Sequence, residues 1–388
     1  MDQSRKGVAL ILTLWVLMAL IVLALGISMM ARTETQIARN YGDVSRCKWA
    51  ARTGIYSTIQ QLMTVTGQTS TYLGEEPYTV TSDEQSLDLG GYTFGAVVED
   101  EAGKINLNDA SSDALTNLFG SSDTAGYILA WRGSSVTTSG TAVDNGNDYY
   151  STLSPPYQCK GAPFETVKEL QLIEGVTATT MSSPPAIGDS GRPLSEFLTV
   201  YDPVTPAQSG GSPKVNIQTV SATVLQSDFS TVLTTQDATA IVNYRNSLPS
   251  RRFASAAQVV NVPNLARTKV EQIYDRLTIG GTAPKGLINV NAAPVEVLAV
   301  QTGMDLATAQ AIVDYRSANG AFSGVGYLLA VSSVTNDVFM SLAPMCTVTS
   351  NVFKITSTGQ LPSTGASATV TCVIELDSGG QKVRYWQE

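Results

Sequence analysis

Residues 144–148 read Asp144-Asn-Gly-Asn-Asp148, and Tyr149-Tyr150 follow directly. Carboxylate and amide oxygens around a glycine turn are the hard donors that Ca²⁺ takes, six to eight of them at ~2.3–2.6 Å. Asp144, Asn147 and Asp148 are the candidate ligands, and Glu165 is a candidate carboxylate from farther along the chain. The spacing is not that of an EF-hand, and a solvated turn accounts for the same residues. Composition closes most other routes to chemistry. The 388 residues include no histidine, which removes Ser-His-Asp and Cys-His catalysis, His-ligated zinc and the usual neutral-pH base. Nothing convergent supports an enzyme, and none is expected. The cysteines (Cys47, Cys159, Cys346 and Cys372) lack CxxC spacing, so they make no zinc or thioredoxin-like motif. A net charge of −9 with only 24 Lys and Arg makes a poor general ligand for nucleic acid, whose affinity comes from clustered cations.

The elements that position these residues begin with a helix. Arg5 and Lys6 precede 24 consecutive uncharged residues, Val8 to Ala31. At ~1.5 Å per residue they span roughly 36 Å, enough for a bilayer core of about 30 Å. A secretory signal would have a shorter apolar region and a small-residue cleavage site, whereas here apolar residues run on to Met29 and Met30. The cations before the span predict a cytoplasmic N-terminus, with the bulk of the chain outside. Ile37, Tyr41, Val44, Ala51, Ile55, Ile59 and Leu62 then recur at helical spacing, so one helix of about 55–60 residues is expected, its second half lying on a soluble domain. Gly67 is its candidate stop. In an oxidising outer compartment Cys159, Cys346 and Cys372 are disulfide candidates with no pair singled out, and buried thiols are the other reading.

A short basic leader ending in Lys6-Gly7, followed at once by a long apolar helix that turns amphipathic, resembles the type IV pilins and type II secretion pseudopilins. The resemblance implies peptidase cleavage between Gly7 and Val8 and methylation of the new N-terminus. Leu12 stands at the fifth mature position, where most members have Glu. A carboxylate in lipid is costly unless paired. Its absence resembles the K-type minor pseudopilin, whose tip position leaves no neighbouring amine to neutralise.

The middle of the chain repeats. Copies open with Lys104-Ile-Asn-Leu-Asn108, Lys214-Val-Asn-Ile-Gln218 and Leu287-Ile-Asn-Val-Asn291, and reach Trp131-Arg132, Tyr244-Arg245 and Tyr315-Arg316. Segments Phe164 to Leu170, Phe253 to Val260 and Phe322 to Leu329 close them. Each copy reads as a small bundle of helix hairpins. Asn108 and Asn291 are expected as N-caps, Asp109, Asp113 and Glu296 as residues of the helix starts, and the arginine as a cap of carbonyls or a partner of acids. Copy three also looks like the helix-hairpin-helix domains of competence DNA-binding proteins. Its turn is Gly303-Met304-Asp305, with Asp in place of the second glycine and a negative charge where phosphate would sit. Copies one and two have Gly120-Ser-Ser and Thr234-Thr-Gln there.

Alternating patterns flank the repeats: Gly91 to Glu99, Val352 to Thr358, Ser367 to Leu376 and Lys382 to Gln387. They predict a small antiparallel sheet of about four strands, and Leu194 to Tyr201 is a candidate further strand. The expected fold is α+β: a pilin-like long N-terminal helix on a small antiparallel sheet, with a large, mostly helical insertion of helix-hairpin-helix-like repeats. The divisions are a leader (1–7), a transmembrane helix (8–31), a pilin-like helix and first strands (32–103), the insertion (104–346, with units at 104–175, 214–262 and 287–332) and the remaining sheet (347–388). Tyr149-Tyr150, Pro156-Tyr157 and Glu169-Leu170 extend the K-type resemblance into the insertion. That resemblance implies calcium in the helical domain, a bacterial inner-membrane anchor with a periplasmic C-terminal domain, and a role in starting and capping the pseudopilus. The partners it implies are I- and J-type minor pseudopilins, the major pseudopilin, the prepilin peptidase and the secretion platform, with no nucleic acid. The alternative is a pilin-like DNA-uptake protein.

Overall fold

The computed structural model describes residues 3–65, 70–74, 78–83, 85, 87–134, 137–138, 141–142, 147–188, 190–202, 213–281, 284–377 and 380–388. The side chains of 3–9, 65, 137–138, 141–142 and 147–148 lie outside that description. One helix, α1 (Gln3–Val65), runs for 63 residues. Its apolar first half is uncovered by protein. From Cys47 onward it buries Ala50, Ala51, Ile55, Ile59 and Leu62 against an antiparallel sheet of β1 (Tyr78–Thr81), β2 (Thr93–Asp100), β3 (Val352–Leu361), β4 (Ala366–Asp377) and β5 (Gly380–Gln387), in that order. The sheet has five strands rather than four; β1 is the addition. Ile37 (62% exposed) and Tyr41 (80%) do not join the buried face, because the sheet reaches only as far down the helix as Cys47. Gly67, the expected stop, lies outside the described residues.

Helix and sheet approach closely. A Cβ at Gly359 would lie 2.0 Å from the Cys47 carbonyl oxygen, and one at Gly54 would lie 2.7 Å from the Phe94 ring. These contacts fix direction. The end of the packed helix nearest its apolar half meets Gly359, which pairs with Phe94 in the register. Asp100 pairs with Phe353 at the opposite end, beside Thr71, whose N–H donates to Val348 O at 2.8 Å. The insertion leaves after Asp100 and returns at Val352, so it springs from the end of the sheet farthest from the apolar half of α1.

Two cores divide the chain beyond the uncovered apolar half of α1. One lies between α1 and the sheet; the other gathers apolar residues from Ile105 to Val348. The second core is built from three like units. Each opens with a two-residue strand and closes with another, paired in parallel: Ile105–Asn106 with Leu198–Thr199, Val215–Asn216 with Leu277–Thr278, and Ile288–Asn289 with Cys346–Thr347. The first unit holds α2 (Ser112–Phe119), α3 (Ser122–Trp131), α4 (Asn147–Ser151) and α5 (Ala178–Ser182). The second holds α6 (Ala222–Asp228), α7 (Thr235–Ser247) and α8 (Arg267–Ile273); the third holds α9 (Val295–Ala299), α10 (Leu306–Asn319) and α11 (Asn336–Leu342). Each unit therefore runs past the Phe-led segment into a further hairpin that ends on α5, α8 or α11. The segment 194–201 supplies the closing strand of unit one and not a strand of the large sheet.

Candidate functional site

The surfaces available for function are the uncovered apolar half of α1, the oxygen-rich loop and the helical domain with its junction to the sheet. The domain is held by polar devices that recur in each unit. Arg132 Nη1 donates to Leu107 O (2.8 Å), Arg245 Nη1 to Ile217 O and Val220 O (3.0 and 2.9 Å), and Arg316 Nη1 to Val290 O and Ala293 O (2.6 and 2.7 Å). The arginine thus caps carbonyls, one of its two expected roles. Asn108 and Asn291 are not N-caps: Ser111 caps α2 and Pro294 precedes α9. Their amides, and that of Gln218, each make a two-way bond to the backbone of Phe164, Phe322 or Phe253. The side chain stands in for a missing strand, satisfying one donor and one acceptor that burial would otherwise leave costly.

Unit three is the keystone. Asn117 of unit one donates to Val300 O (3.2 Å). Arg267 of unit two donates to Leu329 O and Val334 O (3.0 and 2.6 Å), and Asp275 accepts from Val325 and Gly326 N–H (2.9 and 3.1 Å).

The junction with the sheet is built by three consecutive acids, Glu99, Asp100 and Glu101. Lys104 Nζ lies 2.7 Å from Glu99 and 2.6 Å from Glu101, and Lys354 lies 3.0 Å from Glu99. Burial pushes the Glu99 carboxyl up, but the Lys104 and Lys354 ammoniums outweigh it and hold it at about 2. Thr199 Oγ1 donates to Glu101 at 2.5 Å. Asn289 Nδ2 donates to Asp100 Oδ2 (2.8 Å) and to Thr71 O (3.1 Å). No cation among the described residues acts on Asp100, and burial outweighs the bonds from Ser350, Asn289 and Ala102 and raises it to about 6. Sequence reading missed this knot. The Glu-Asp-Glu run just before Lys104 was its visible signal.

The sequence-predicted residues are scattered. Gly7 and Val8 lie within α1 with side chains outside the description, and Leu12 is 62% exposed on the bare span. Asp144 lies outside the described residues; Asn147 and Asp148 open α4, their side chains undescribed. Glu165 points into solvent, its side chain 83% exposed, with Lys160 Nζ 3.6 Å away. Among the described residues no three His, Cys, Asp or Glu gather as a metal would require. Within α4, Tyr150 stacks on Tyr157 and meets Trp131 edge-on (centroids 5.3 and 5.5 Å), fastening the loop's far end to the unit core. Cys346 and Cys372 are free thiols in different cores; burial pushes the Cys372 thiol up to about 12 and Cys346 higher still. Cys159 is half-buried at the edge of the helical core. The hairpin turn of unit three holds Asp305 as the N-cap of α10, accepting from Thr308 N–H at 2.6 Å. That bond lowers the pKa of its carboxyl and keeps an anion where a phosphate would bind.

Comparison with known proteins adds the following. Residues 284–347, which span unit three, match the helix-hairpin-helix motif family. No curated protein matches the sequence. Among solved structures the chain is similar to one from the GspK-GspI-GspJ complex of the type 2 secretion system of enterotoxigenic Escherichia coli. The identity is 12% and the TM-score 0.44, over 92% of this chain and 98% of that one.

Proposed function

We propose that this chain is a K-type minor pseudopilin of a type II protein secretion system, which starts assembly of the periplasmic pseudopilus and caps its tip. The observation that carries the reading is where the helical insertion sits: at the end of the sheet farthest from the membrane span. In a helical filament that end faces the next subunit, and only a terminal subunit has room for a domain of this size. Leu12 agrees, because it leaves no intramembrane carboxylate seeking a neighbour's amine. In this reading α1 crosses the bacterial inner membrane once. A prepilin peptidase cuts between Gly7 and Val8, and the mature N-terminus is methylated. The partners are the I- and J-type minor pseudopilins, the major pseudopilin and the secretion platform. The role is structural and not enzymatic. Calcium is held by Asp144, Asn147 and Asp148, whose oxygens suit it; Glu165, in solvent beside Lys160, stays outside the ligand set.

The test is made on protein from its native membrane. Intact mass should show loss of residues 1–7, with or without one methyl, and label on the helical domain should mark one end of the pseudopilus. A retained leader, or label at regular intervals along the shaft, overturns the reading.

A further inference from the structure

The three units present equivalent edges, and two of those edges are occupied. In unit one, Lys104 and Thr199 together hold Glu101, and Lys104 also holds Glu99. In unit three, Asn289 holds Asp100. Both edges therefore take up the acidic run 99–101, which ends a strand at Asp100 and enters a helical turn at Glu101. In unit two the matching positions are Lys214, Asn216 and Thr278. The register is the same, because Asn216 pairs with Thr278 as Asn106 pairs with Thr199. Among the described residues none of these three side chains donates to a carboxylate, and Lys214 is exposed. The undescribed stretches nearby, 203–212 and 282–283, contain no Asp or Glu, so they supply no acid to it.

This edge opens on a cleft of about 420 Å³ lined by Lys214, Asn216, Thr219, Val224, Asp228 and Arg276. Arg276 is fixed there: its guanidinium lies 4.6 Å over the Phe229 ring and its Nη1 donates to Asp228 O at 3.2 Å. Asp228 is the single carboxylate among the lining residues. Asp275, close to Lys214, is spent on the Val325 and Gly326 N–H groups. Local charge agrees. Residues 214–278 carry seven Lys and Arg against four Asp and Glu, whereas 104–199 carry five against ten and 287–347 one against four. The one basic unit of an acidic chain is the one whose edge is open.

We infer that the Lys214–Arg276 edge of unit two is a docking site for an acidic peptide segment of another protein. It would be bound as the chain's own residues 99–101 are bound by units one and three. Lys214 and Thr278 take one carboxylate, Asn216 donates to a second, and Arg276 faces the acidic residue beyond. A site of this kind gives specificity and salt dependence more than great affinity. It does not depend on the capping role.

The probe is a labelled, end-blocked peptide of the sequence of residues 97–103, titrated into the full-length protein in detergent at low salt. Saturable binding is expected, weakened at least about tenfold when the three acids of the peptide are replaced by their amides. Lys214→Glu should weaken it by a similar factor while leaving the melting temperature unchanged, and Lys214→Arg should keep it within about threefold. Should Lys214→Glu lower the melting temperature, Arg276→Gln takes its place. No saturable binding, equal binding of the amide peptide, or full binding by the Glu variant overturns the assignment.

Discussion

Asn291 holds Phe322 by both backbone groups, donating to its carbonyl at 3.0 Å and accepting from its N–H at 2.8 Å across 31 residues. Asn291 is buried, whereas Gln218, its counterpart at Phe253, is only half-buried. Asn291→Ala leaves two buried groups unpaired and is expected to destabilise by about 2–4 kcal/mol. Gln218→Ala, where water replaces the amide, should cost about 1 kcal/mol. Denaturant unfolding of the two variants measures the difference. Equal losses would show that the amide bridge is not what stabilises the unit.

The long helix, the three repeat starts and the capping arginines were legible because each is written locally, in an apolar run or in recurring types at fixed spacing. The second hairpins were not. Their turns are made by different residues, Gly175 at φ 79°, Asn264 at φ 61° and Ser332-Ser333, so no common motif marks them. The closing strands are two residues long, too short for an alternating pattern to register. The role of Asp100 was hidden for another reason: its partner Asn289 lies 189 residues away. Periodicity placed Ile37 and Tyr41 on the inner face of α1, but periodicity does not say where the opposing sheet stops.

Gly359 offers a sharp test of the helix–sheet contact. Its missing Cβ would sit 2.0 Å from Cys47 O and 2.7 Å from Ala51 N, both backbone atoms that cannot swing aside. Gly359→Ala must lift α1 from β3 and is expected to destabilise by about 3 kcal/mol or more. Gly95 lies in the same sheet with open space where its Cβ would go, so Gly95→Ala should stay within about 0.5 kcal/mol. Similar values for the two would refute the close packing.

Calcium is expected to raise the melting temperature of the chelator-treated protein. An ion that binds only the folded state stabilises by about 2.7 kcal/mol at a hundredfold excess over Kd. Asp148→Ala should remove most of that gain, while Glu165→Ala, altering a residue already in solvent, should leave it. A gain that survives Asp148→Ala places the ion elsewhere.

The last expectation is a pH profile. Asp100 has a folded-state value of about 6 against an ordinary value of 3.8, so between those limits the folded chain holds a proton that the unfolded chain has released. The unfolded state then binds fewer protons, and stability from this group falls as pH rises from about 4 to 6, by about 3 kcal/mol at most. Glu99, held at about 2 against an ordinary 4.5, acts in the opposite sense: its contribution still rises through the lower part of this window and levels off only above about pH 5.5. The chain has no histidine to titrate there. Asp100→Asn should therefore remove its share of the fall in stability between about pH 4 and 6.5, leaving that of the other carboxyls that burial raises, Asp109, Glu271 and Asp275. Its Oδ1 still accepts from Ala102 N–H, but its Nδ2 opposes the donor of Asn289, so some stability is lost at every pH. The measurement is the difference in unfolding free energy between wild type and variant at several pH values. A difference that does not change with pH would mean that Asp100 stays ionised throughout, with the junction held by charge instead of by a shared proton.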